Sequence, residues 1–238
     1  DSVILTVTSG VLVKLDNTNN FRINNITLNV ANSGTYAIQF TGADNNIEIR
    51  DCKIFANPTA TTNAFAGIYN SDNHSWVVNS VHIINNLIDG GFSNIHLWAG
   101  NSTNYSINNI IDSNTCTNAH WVSINYSYAN INSLSNNIIK SRTANTSTDF
   151  YGLHLKYATI NKINGNKIHV RGLTTRLYTV YLFDINNKIS TSAMITNNEI
   201  IAIANGSTSY VIFSSNAKCN FYNNSIFLFH DFNGRSIF

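Results

Sequence analysis

Histidine, tryptophan, lysine and tyrosine recur at matched positions in a set of short related segments. The segments are AIQF, GIYN, NIHL, VSIN, GLHL, VYLF and VIFS, spread from residue 37 to residue 214. Two-residue alternation turns one set of their side chains inward: Ile38 and Phe40, Ile68 and Asn70, Ile95 and Leu97, Val122 and Ile124, Leu153 and Leu155, Val180 and Leu182, Val211 and Phe213. The outward set, segment by segment, is Lys14, Gln39, Tyr69, His96, Ser123, His154, Tyr181 and Ile212, with Trp98, Trp121, Asn125, Lys156 and Phe183 beside them. Tryptophan and tyrosine offer a flat apolar face with a polar edge, which suits stacking on sugar rings. Tyr69, His96, Trp98, Trp121, Asn125, His154, Lys156 and Tyr181 are therefore the candidate ligand-binding residues. Among them His96, His154, Lys156 and Tyr181 are the candidates for proton transfer or charge neutralisation.

Other chemistries fit less well. Glycoside hydrolysis needs two carboxylates across the scissile bond, and the outward strand positions hold none. Asp72, Asp149 and Asp184 are placed in adjoining loops by this reading. No acidic cluster suggests calcium, and His74, His82, His120, His169 and His230 lack zinc-type spacing, so neither metal nor cofactor is expected. Cys52, Cys116 and Cys219 are far apart and odd in number, and read as buried thiols rather than a disulfide framework.

A second repeat sets the frame that must position these residues. The hexamers IINNLI, IDSNTC, LSNNII, INGNKI, ITNNEI and FYNNSI place an asparagine at positions 86, 114, 137, 166, 198 and 224. INNITL and IRDCKI fit the same frame, with Ile26 and Cys52 in that position. The intervals are 26, 34, 28, 23, 29, 32 and 26 residues. Such a period marks a solenoid, and the varying interval places insertions in loops. Short β-branched and aromatic segments punctuated by Asn, Ser and Gly argue for strands over helices. Each repeat then reads as three short strands, one coil of a parallel β-helix. Eight to nine coils at about 4.8 Å each give a rod roughly 40 Å long. The sharp turn inside each hexamer suits asparagine, which tolerates left-handed backbone. Inward amides at Asn86, Asn114, Asn137, Asn166, Asn198 and Asn224 are expected to stack as a ladder.

These hexamers resemble the asparagine-ladder turn of the pectin-lyase-like superfamily of right-handed parallel β-helices, over nearly the whole chain. The resemblance implies an all-β single domain over 1–238, with ligand laid across the outward side of one strand face. The superfamily holds lyases, hydrolases, epimerases, tailspikes and adhesins, so the fold alone names no activity.

Composition narrows the partners. Charged residues are 11% of the 238, the net charge is +2, and no basic run occurs, which argues against nucleic acid. No apolar run is long enough for a membrane span. The opening DSVILTVTSG lacks the basic start of a signal peptide. The chain is expected to be a segment of a longer protein, or to cover its ends with partners or other copies. Contacts would run through the rod ends or an apolar side carrying Phe55, Ile201 and Phe227. Two readings stay open: a secreted, cell-surface or virion-surface rod that binds glycans or serves as a spike or stalk segment, and a metal-independent lyase acting on an acidic polysaccharide.

Overall fold

The computed structural model describes residues 3–70, 76–98, 100–143, 147–172, 176–187, 189–204, 208–230 and 235–237. The chain is a parallel β-helix with three faces, and every strand pair among the described residues is parallel. Face A starts with the first halves of Val3–Leu15 and Ile26–Phe40. It continues through Lys53–Phe55, Leu87–Asp89, Thr115–Ala119, Ile138–Ser141, Lys167–Gly172, Glu199–Ala204 and Ser225–His230. Face B takes the second halves of the first two strands, then Ala66–Asn70, Ser93–Trp98, Val122–Ser127, Asp149–Lys156, Arg176–Phe183, Thr208–Ser215 and Arg235–Ile237. Face C runs from Asn19–Asn24 to Cys219–Tyr222. Among the described residues, faces A and B have nine rungs each and face C has eight, so seven turns separate the first and last rungs of face C. No described helix is long and apolar enough to cross a membrane.

Equivalent residues of successive coils stack in register, which gives the core its columns. On face A, Leu28, Ile54, Ile88, Cys116, Ile139, Ile168 and Ile200 stand above one another. Cys116 occupies an isoleucine position there and is fully buried. On face C the matching column is Ile49, Ile83, Ile111, Leu134, Ile163 and Ile195. Burying each such side chain stabilises the fold by about 1.5–3 kcal/mol.

The turn from face C to face A divides its work between two neighbouring residues. The residue with left-handed backbone is the one before the fourth hexamer position, which asparagine holds in six of the eight: Asn25, Asp51, Asn85, Ser113, Asn136, Gly165, Asn197 and Asn223, with φ between 52° and 67°. The sequence pattern points to the repeated asparagine itself for that conformation, and the structure moves it one residue earlier. That asparagine is instead free to turn its amide inward. Asn86, Asn114, Asn137, Asn166, Asn198 and Asn224 form a column in which each Nδ2 donates to the next Oδ1 at 2.9–3.1 Å. Each Nδ2 also donates to a face-C carbonyl of the preceding coil, such as Ile111 O from Asn137 at 2.8 Å. Each Oδ1 of the column also receives a backbone N–H from the preceding coil, beginning with Cys52 N to Asn86 at 2.9 Å. A buried polar column is tolerated because its donors and acceptors are paired.

Three positional expectations are corrected by register. Asn125, not Ser123, lies between His96 and His154, and Ser123 is fully buried. In the face-B strand Thr208–Ser215, Ile212 aligns with inward Val180 and Phe213 aligns with outward Tyr181, reversing the assignment made for Ile212 and Phe213. The supposed apolar side is also interrupted: Phe55 is separated from Ile201 and Phe227 by Asp89, Thr117, Lys140 and His169 in the same column. His169 Nε2 lies 2.5 Å from Glu199 Oε1 on the same face.

Candidate functional site

One outward column of face B reads Lys14, Gln39, Tyr69, His96, Asn125, His154, Tyr181, Phe213. A parallel column two residues on carries Trp98, Ser127, Lys156 and Phe183. Around the middle of these columns lies a groove of about 670 Å³, lined by Thr61, Thr62, Asn63, Phe92, His96, Trp98, Trp121, Asn125, Tyr151, His154 and Lys156. The structure thus gathers six of the eight candidate binding residues into one groove. The other two flank it. Tyr69 stacks against His96, with ring centroids 5.3 Å apart, and Tyr181 packs on His154 at 4.9 Å.

The floor is a buried polar relay. Asn125 is 1% exposed and bridges the two histidines. Its Oδ1 accepts from His154 Nδ1 at 2.9 Å, and its Nδ2 lies 3.3 Å from His96 Nδ1. Since a carbonyl oxygen only accepts, His154 carries its proton on Nδ1 and leaves Nε2 as a lone-pair acceptor. Burial, with Lys156 and His96 adding to it, pushes the His154 imidazolium down to about 3, so the ring is neutral at ordinary pH. Burial also lowers the Lys156 ammonium, whose Nζ sits 5.5 Å from the centre of the Tyr181 ring.

Aromatic rings build the walls. Trp121 stacks on Phe92 at 5.3 Å and meets Tyr151 edge-on at 5.7 Å. Tyr151 in turn stacks on Tyr178 at 4.8 Å. Its hydroxyl is pushed up to about 12, by burial first and by the Asp149 charge second. Asp149 is not in a loop, as its sequence context suggested, but opens the strand Asp149–Lys156 and holds Arg176 through two contacts of 2.6 Å. Asp184 sits in the turn after Arg176–Phe183, away from this groove, and Asp72 and His74 lie outside the described residues. Among the described residues no carboxylate lines the groove, and no group of three His, Cys, Asp or Glu converges to hold a metal.

Tyr151 and Phe92 were not among the sequence candidates. Strict alternation puts Tyr151 on the same side as Leu153, yet both Tyr151 and His154 line the groove while Phe150 and Leu153 are fully buried. The pattern breaks at Gly152, which packs where a Cβ would come within 2.5 Å of the Thr179 carbonyl. A Tyr-Gly pair inside an alternating run was the available signal, since glycine in a strand often marks a bend or a close approach.

No family model and no curated protein matches this sequence. Among solved structures, the A-module of the mannuronan C-5 epimerase AlgE6 of Azotobacter vinelandii aligns with 97% of this chain at TM-score 0.52 and 13% identity. The Dettilon tailspike protein aligns with 95% at TM-score 0.49 and 12% identity. The chain spans about half the length of each, 53% in both cases. What the likeness shows is the fold, a parallel β-helix.

Proposed function

We propose that the face-B groove binds an acidic polysaccharide, and that the chain is a glycan-binding rod working outside the cell or on a virion surface. The observation that carries this reading is a half-buried Lys156 in an aromatic groove that has no lining carboxylate among the described residues. A uronate carboxylate supplies the missing counter-charge, and Trp98, Trp121 and Tyr151 supply ring faces for the sugars. Neutral His154, with Nε2 as acceptor, adds a hydrogen-bond partner for a hydroxyl. The likeness of fold to a polysaccharide epimerase module is compatible with a polysaccharide ligand.

The same residues favour a second reading, metal-independent β-elimination. Lys156 would neutralise the uronate carboxylate while His154 or Tyr181 handled the proton. Efficient proton transfer needs groups that titrate near the working pH. Here His154 is held far below that range, and Tyr151 and Tyr181 are held above their usual range. Binding is therefore the better-supported function of the site.

The test is calorimetric titration with uronate oligosaccharides and with neutral oligosaccharides of equal length, followed by an absorbance assay for unsaturated uronate products. Tighter binding of the uronates than of the neutral oligomers, with the difference lost in Lys156→Ala and Trp121→Ala, is the expected result. Equal binding of neutral oligomers, or binding insensitive to both substitutions, would overturn the proposal. Accumulating unsaturated product would move the assignment to the lyase.

A further inference from the structure

The aromatic lining does not stop at the groove. Trp98 packs on Tyr128 at 5.7 Å, Tyr128 stacks on Tyr157 at 4.8 Å and 15°, and Tyr105 meets Tyr128 edge-on at 6.0 Å. These rings carry the surface sideways, around the corner between faces B and C. There they reach a separate cleft of about 170 Å³ lined by Tyr105, Ala158, Thr159, Asp184 and Asn187.

The corner is built in an unusual way. Tyr128, Tyr157, Asp184 and Asn216 occupy the same turn in successive coils, and all four have left-handed backbone, with φ from 49° to 59°. Aspartate and asparagine accept that conformation readily, but a bulky side chain there is a genuine outlier. Two consecutive tyrosines therefore hold rings where asparagine would satisfy the backbone better, and their stack connects Trp98 with Tyr105. At the next level the corner carries a carboxylate. Asn187 and Asn216 both donate to Asp184 Oδ1, and Oδ2 takes no hydrogen bond from the described residues.

We propose that this cleft is a second carbohydrate subsite, taking one neutral sugar residue that branches sideways from a glycan held in the groove. The branch geometry rests on the groove reading above; the subsite itself does not. Its volume suits a single pyranose ring. One aromatic face with Thr159, Asp184 and Asn187 beside it matches the mixed apolar and hydroxyl surface of a sugar. A carboxylate acceptor is well suited to hydroxyl donors and repels a uronate. An ammonium ligand fits less well, because among the described residues one ring lines the cleft and an aromatic cage needs several.

Saturation-transfer NMR on the whole chain tests this with glucose, galactose and mannose, alongside glucosamine and glucuronate. At least one neutral hexose is expected to give a signal that Tyr105→Ala and Asp184→Asn abolish and Lys156→Ala leaves intact. Asp184 also holds the turn, so Tyr105→Ala, which leaves those hydrogen bonds in place, guards against misfolding. Absence of any hexose signal, a signal unchanged by Tyr105→Ala, a stronger response to glucosamine, or a glucuronate response that Tyr105→Ala abolishes would overturn the proposal. In a second arm, an acidic polysaccharide with neutral branches should bind about tenfold tighter than its unbranched backbone, a difference that Tyr105→Ala removes. Equal binding of the two polymers by the parent protein would overturn the branch geometry. Should the groove reading fail, uronate binding is absent while the hexose signal persists, so the two failures are told apart.

Discussion

Replacing Asn137 by leucine removes the middle of the amide column. Its Oδ1 accepts the Asn114 backbone N–H at 2.9 Å and the Asn114 side-chain amide at 3.1 Å. Its Nδ2 donates to Asn166 Oδ1 at 3.0 Å and to Ile111 O at 2.8 Å. Some of these partners have an alternative. Asn114 Nδ2 still reaches Ile83 O and Asp112 O, and Asn166 Oδ1 still takes the backbone N–H of residue 137. The Asn114 N–H loses its acceptor outright in a fully buried position, and Ile111 O loses the amide that reaches it. One orphaned buried donor and one weakened acceptor cost about 2–4 kcal/mol, with only a small offset from the added apolar volume. For a domain of this size the thermal midpoint should fall by about 5–15 °C, read by far-UV circular dichroism. Asn136→Leu is the companion measurement. It leaves the column intact and places a branched side chain at φ 56°, so its cost should be about 1–2 kcal/mol and come from the backbone. If Asn137→Leu melts within a degree of the parent, or Asn136→Leu is the more damaging of the two, the division of labour at this turn is wrong.

Acid should destabilise the protein through His154. Its folded value of about 3 lies below the ordinary 6.5, so between those values the unfolded chain binds the extra proton. Stability is full above 6.5 and declines as pH falls toward 3, by on the order of 5 kcal/mol, and His154→Gln should flatten that part of a midpoint-against-pH curve. Gly152→Ala brings a methyl against the Thr179 carbonyl and Ile168, and should cost about 1–3 kcal/mol and weaken ligand binding, because the strand carrying Tyr151 and His154 must shift. A variant with unchanged melting and binding would show that Gly152 does not shape the groove. The thiols of Cys116, pushed up to about 12, and Cys219, up to about 11, are raised by burial and should label slowly with a thiol reagent at neutral pH until the chain unfolds. Rapid labelling of the native protein would contradict the packing of these columns.

The amino-acid sequence by itself determined the coil. An apolar pair flanking a polar turn, repeated eight times at 23 to 34 residues, leaves a solenoid of short strands as the arrangement that buries every pair. It also marked the face carrying His96, Trp98, Trp121, Asn125, His154 and Lys156, because those side chains sit in the same alternating motif. What it left open was register between coils, since loops of different length can align neighbouring strands at any offset that keeps the apolar residues inside. Only the folded chain brought Asn125 between the two histidines and exchanged the roles of Ile212 and Phe213. Tyr151 was hidden for a related reason. Its exposure follows from a close approach at Gly152 to the Thr179 carbonyl, 27 positions along the chain, and alternation is a rule about neighbours in sequence. Residues 61–63 join the groove because a loop from one coil folds beside strands of the next three. A local pattern says which side chains must be buried. Which exposed ones meet is decided by how the coils stack.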